Sequence, residues 1–141
     1  PDAAQAADIM AKYLNPTVPI HPEDIARASG DVRATTSRMI QSTIDRMYSE
    51  AEDNRFREVT YANGDKEVLY FKDFNSGAMI ENIVRRAKKE AIKRFLSMGE
   101  KGIKAEDLAR AMVLAAQKTP KGIHFFEYPK IMELLNRKSN P

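Results

Sequence analysis

Most apolar positions in this chain recur at helical spacing, and one interior stretch switches to strand spacing. The most regular run, Ile80, Ile83, Val84, Ala87, Ala91 and Phe95, has the i, i+3, i+4, i+7 recurrence of a buried helical stripe. It predicts a helix over residues 76–98. Asn75 or Ser76 can cap its free N–H groups with a side-chain oxygen, and Gly99 can end it in a left-handed conformation. Arg85, Arg86, Lys88, Lys89, Lys93 and Arg94 occupy the opposite, solvated face, so their charge lies mid-helix and towards the negative C-terminal end. The N-terminal end, where Gly77 allows close approach to the backbone, is left to face an anion.

Upstream, residues 1–14 predict an alanine-rich helix whose inner face is expected at Ala7, Met10, Ala11 and Leu14, with Pro1 suited to its first turn. Pro16 and Pro19 break it, since each removes a donor and biases its predecessor to extended backbone. A short helix starts around His21-Pro22-Glu23-Asp24 and ends at Gly30. Over residues 31–52, Met39, Ile40, Thr43, Ile44, Met47 and Tyr48 mark a long amphipathic helix, with methionine as core filler.

The period then falls to two in FREVTYANGDKEVLYF. Asn63-Gly64 predicts a two-residue type I′ turn that pairs residues 56–62 with 65–71 and sets Val59 opposite Val68. Tyr61 and Tyr70 would share that face, with Phe56, Leu69 and Phe71 on the other. An isolated hairpin is marginal, so one face must pack on the rest of the chain. Beyond a turn at 99–102, KAEDLARAMVLAAQK predicts a helix with Leu108, Ala111, Met112 and Ala115 inward. Pro129 fits the first turn of a short helix through Leu135.

A chain of 141 residues, 43% of them hydrophobic, predicts one compact domain with a core. The net charge of +3 comes from 23 basic and 20 acidic residues, interspersed, so composition carries no nucleic-acid footprint. The absence of cysteine excludes a disulfide framework and a thiolate zinc site and fits a reducing cytoplasm. No apolar run approaches the roughly 20 residues that span a bilayer, and no signal-peptide pattern opens the chain. The missing initiator Met points to a processed or excised piece.

Self-sufficient chemistry is not visible. There is no GxxxxGK[ST] phosphate loop, Gly-rich dinucleotide turn, GxSxG elbow or HExxH. Solvated helix faces and caps account for Asp24, Glu52, Asp53 and Glu106. Glu23, Asp24, Glu106 and Asp107 fall in first helical turns, where they favour the dipole. His21, just before a helix, reads as a cap or turn residue, and His124 as structural; the two have no metal-ligand spacing. No catalytic or metal-binding residue is assigned. A nucleic-acid-binding module using the Arg85, Arg86, Lys89, Lys93 stripe stays open as an alternative, with the interspersed acids against it. So does a stand-alone helical adaptor.

The residues from Phe74-Asn75-Ser76-Gly77-Ala78-Met79-Ile80 onwards resemble the Phe-Ser-Gly-Ala pattern that opens the sensor-2 helix in the small C-terminal lid of AAA ATPases. The longer run DNRFREVTYANGDKEVLYFKDFNSGAMIENIVRRAKKEAIK is similar to the proteasome-associated ATPases of actinobacteria, which insert a hairpin into that lid. The resemblance covers about residues 1–117 and implies a mainly α fold, an AAA small-domain helical bundle with an inserted β-hairpin at about 56–71. The domain would span 1–117, with the insertion at 53–73, and residues 118–141 would form a C-terminal extension with a short helix.

This resemblance implies a cytoplasmic, homohexameric, ATP-dependent unfoldase that passes substrates carrying a ubiquitin-like tag to a 20S proteasome core. The chain would be its lid and not its motor, because Walker A, Walker B and the arginine finger would lie upstream of Pro1. ATP or ADP would be faced by Ser76, Gly77 and Ala78, with Mg held in the large domain. Ala78 stands where many relatives carry a sensor-2 arginine, so nucleotide would be sensed by packing and domain angle. The partners implied are the large AAA domain, neighbouring subunits and the proteasome core, with no membrane and no nucleic acid. The chain ends Lys138-Ser139-Asn140-Pro141, without the penultimate-tyrosine tail typical of proteasomal members.

Overall fold

Capping chemistry sets most of the helix boundaries. A computed structural model describes residues 1–51 and 54–118. Asp2 accepts from the Gln5 amide at 2.7 Å while the Gln5 side chain accepts from the Asp2 amide, a capping box that starts α1 (Ala3–Tyr13). Pro1 therefore lies outside the helix. The His21 ring caps α2 (Pro22–Arg27), as expected, and Asp31 caps α3 (Val32–Met47). The third helix stops well before residue 52. Strands β1 (Arg55–Thr60) and β2 (Lys66–Tyr70) form an antiparallel hairpin, followed by the single turn α4 (Phe71–Phe74). The long helix α5 (Gly77–Met98) ends at left-handed Gly99, and α6 (Ala105–Lys118) runs back along it.

The core forms where α5 packs on α1 and α6, with α3 closing the bundle against α1 and α6. Ile80, Ile83, Val84, Ala87 and Ala91 are buried as the stripe predicted, and so are Leu108, Ala111, Met112 and Ala115 of α6. On α1 the buried face is Ala6, Met10 and Leu14; Ala11 is exposed and Ala7 only half-buried. Two alanine faces of similar hydrophobicity were available there, and contact with α3 and α5 selected between them.

Phe95 departs from the predicted stripe and is 49% exposed. Its neighbours are the loop at Thr17–Pro19 and Ile103, which leave a groove instead of closing over the ring.

The hairpin register also differs. Val59 pairs with Glu67 and Glu58 with Val68, one residue off the prediction, with an irregularity between Arg55 and Arg57. The Tyr61 amide donates to Asp65 O at 2.8 Å and the Gly64 amide to Tyr61 O at 2.9 Å, and Gly64 has φ +91° while Asn63 does not have positive φ. This is the three-residue loop built on a type I turn and a left-handed glycine, not a type I′ turn. Leu69 is buried and Val68 half-buried. Phe71 leaves the strand to start α4 and is fully buried against the bundle. Asn54 ties the base of the hairpin to α3, donating to Ser49 O at 2.9 Å and to Arg46 O.

The two inter-helix loops lock together at the far end. Ile20 and Ile103 form a parallel bridge, with His21 N donating to Ile103 O at 3.0 Å and Ile103 N to Pro19 O at 2.9 Å. The expected short helix at 129–135, and His124, lie outside the described residues.

Candidate functional site

Ser76 holds extended backbone, φ −143° and ψ 165°, and its Oγ accepts from the Met79 amide at 3.1 Å. The Ile80 amide goes to Ser76 O at 3.1 Å. Of the first four N–H groups of α5, those of Gly77 and Ala78 therefore find no acceptor among the described residues. No carboxylate occupies the first turn to neutralise the positive end of the helix dipole. Ser76 and Ala78 are exposed and Gly77 is half-buried. A Cβ on Gly77 would meet only Ile9 Cδ1, at 4.0 Å, so the fold itself tolerates a small side chain there. The structure thus places Ser76, Gly77 and Ala78 together on an open helix end able to receive an anion.

Behind this end lies a hydrogen-bonded support that the sequence did not reveal. Asn75 is 3% exposed and donates through Nδ2 to the Tyr48 hydroxyl at 3.1 Å, which in turn donates to Pro1 O. Burial raises the Tyr48 pKa and keeps the phenol a donor. The start of the chain, the end of α3 and the start of α5 are joined in this way across separations of 27 and 47 residues. No local pattern carries such a signal.

At the other end of α5 two polar clusters hold the loops. His21 Nδ1 accepts from the Glu23 amide at 3.1 Å, and Nε2 lies 3.0 Å from Glu100 Oε1. Arg94, placed on the solvated face by its sequence context, instead has only 12% of its side chain exposed and forms a two-pronged pair with fully buried Asp107. That pair raises the Arg94 pKa further. Asp107 also accepts from Lys104 N at 2.8 Å, so it serves α6 as a cap while being a buried anion. Heavy donation from a guanidinium and an amide is what makes that burial tolerable. Beside this cluster Ile92 is 58%, Leu96 77% and Met98 68% exposed, and Ile92 lines a groove of about 420 Å³ with Phe95, Val18 and Ile103.

The helical bundle carrying a small hairpin is the fold class that the resemblance implied. The family described as ARC, AAA+ ATPase lid domain matches residues 1–121, and the chain belongs to it. It is similar to the proteasome-associated ATPase of Acidothermus cellulolyticus, 61% identical over 111 residues, covering 79% of this chain and 19% of that protein. The proteasome-associated ATPases of Thermomonospora curvata and Thermobifida fusca are 61% and 60% identical over 113 residues, 80% of this chain and 19% of each relative. The chain spans about a fifth of the length of these relatives. No helix among the described residues is long and apolar enough to cross a membrane.

Proposed function

We propose that this chain is the C-terminal lid of a proteasome-associated AAA ATPase that, as a cytoplasmic homohexamer, unfolds proteins carrying a ubiquitin-like tag and feeds them to a 20S proteasome core. The lid spans about residues 1–117 in this reading, followed by an extension. Ser76, Gly77 and Ala78 face ATP or ADP, with Mg and the hydrolytic groups in the large domain. The observation that carries this reading is the start of α5, where two amides without acceptors among the described residues meet no first-turn carboxylate. Ala78 offers no cation, so nucleotide state reaches the lid through packing and domain angle.

The exposed Ile92, Phe95, Leu96 and Met98 support the same reading. Large apolar side chains exposed along one end of a helix mark an interface, here with the large domain or a neighbouring subunit.

In full-length rings, Ala78→Arg should alter nucleotide affinity or turnover without unfolding the lid, and Gly77→Leu should impair nucleotide binding. Nucleotide titration and ATP hydrolysis, with ring assembly checked by sedimentation, test this. Wild-type affinity and turnover in both assembled variants would remove Ser76, Gly77 and Ala78 from the nucleotide site. The isolated chain should hydrolyse no ATP.

A further inference from the structure

Five basic side chains line one groove of this chain. Arg85, Arg86, Lys89 and Lys93 of α5 stand with Arg110 of α6 around a groove of about 560 Å³, whose other polar lining is Asn82 and Glu90. Five cations against Glu90 and the adjoining Glu81 leave a net of +3, as much as the whole chain carries. Leu114, 42% exposed, lines the groove with Ala111. A second hollow, with Arg46 of α3 and Val113, adjoins the first and shares Arg110 and Leu114 with it. An exposed leucine is therefore flanked by cations drawn from three helices.

These cations are available. Arg85 pairs with Glu81 at 3.3 Å and Lys93 with Glu90 at 3.5 Å, both across one helical turn between half-buried or exposed groups, and such pairs exchange readily for a partner's carboxylates. Lys89 and Arg110 are exposed and make no ion pair among the described residues. From Asn82 to Lys93 the stripe runs ~16 Å along the helix axis, about three turns of a facing helix.

We infer that this groove docks an acidic segment of a partner protein, its carboxylates on Arg85, Lys89, Lys93 and Arg110 and an apolar side chain on Leu114. Nucleic acid fits less well. Among the described residues no aromatic side chain lines either hollow to stack a base. The chain's own residues 119–141 carry Lys121, Lys130, Arg137 and Lys138 against Glu127 and Glu133. They share the sign of the groove and are poor occupants. Charge complementarity and the apolar anchor thus favour an acidic, amphipathic peptide.

Fluorescence anisotropy of the 141-residue chain tests this with a labelled Glu/Leu helical peptide, an all-Glu peptide of equal length and a single-stranded oligonucleotide. The Glu/Leu peptide should bind saturably and weaken as salt rises. Its affinity should fall about tenfold in the Lys89→Glu, Arg110→Glu pair and by a smaller factor in Lys89→Gln, Arg110→Gln. Leu114→Ala should weaken the Glu/Leu peptide alone, about threefold. Unchanged melting of the variants would place these losses in the groove. Equal or tighter binding of the oligonucleotide, or peptide affinities indifferent to all three variants, would overturn the proposal. Self-association of the chain that the same reversals abolish would also overturn it, by making a second copy the occupant.

Discussion

Alanine at Gly102 should cost far more than alanine at Gly99, although both glycines have positive φ. Gly99 ends α5 at φ +73°, and a Cβ added there meets nothing within 4 Å. Gly99→Ala should therefore cost only the left-handed strain, about 1 kcal/mol. Gly102 sits at φ +114°, and its Cβ would collide with the backbone of Ile20 and His21. Relief requires that segment to move, and the segment carries two bonds to Ile103, at 3.0 and 2.9 Å. Strain of about 1–2 kcal/mol and about 1 kcal/mol for each bond bring the expected loss to about 3–4 kcal/mol. That is a large part of a domain's usual ~5–15 kcal/mol. Urea denaturation of both variants measures the difference, and amide hydrogen exchange at His21 and Ile103 should show protection lost in Gly102→Ala alone. A Gly102→Ala cost as small as that of Gly99→Ala would refute the idea that the locked loops brace the bundle.

Two further outcomes are expected. Ile83→Ala, which removes a fully buried side chain from the α5 stripe, should destabilise by about 2–4 kcal/mol, whereas half-exposed Arg86→Ala should cost under about 0.5 kcal/mol; thermal melts in the reverse order would exchange the inner and outer faces. The Tyr61 hydroxyl donates to Glu67, which pushes its pKa from 10.0 up to about 12. A raised folded pKa means that the stabilisation is complete below the unfolded value and is lost as pH climbs from 10.0 towards 12. Phenolate absorbance should show one tyrosine titrating late, and Tyr61→Phe should remove that component; an unchanged titration would place the bond elsewhere.

Local periodicity was enough to read α3, α5 and α6, because a helix that buries one face must repeat its apolar residues every three or four positions. The α5 stripe from Ile80 to Ala91, the inner face of α6 and the existence of the hairpin all follow from spacing of that kind. So do the caps at His21 and Ser76 and the stop at Gly99, since each depends on a side chain within three residues of the amide it serves or on a backbone angle that glycine favours.

Tertiary structure decided whatever depended on a distant partner or on a choice between nearly equal local options. Asn-Gly fits more than one hairpin loop, and the observed three-residue loop shifts the pairing by one position. Phe95 has the spacing of a core residue but stays half-exposed, lining a surface groove with the Thr17–Pro19 loop and Ile103. Arg94 has the context of a solvated cation, yet Asp107 reaches it only because α6 folds back along α5. Tyr48, Asn75 and Pro1 meet across separations that no periodic pattern spans. In each case the free energy comes from a contact between segments far apart in sequence, which residue spacing within either segment does not encode.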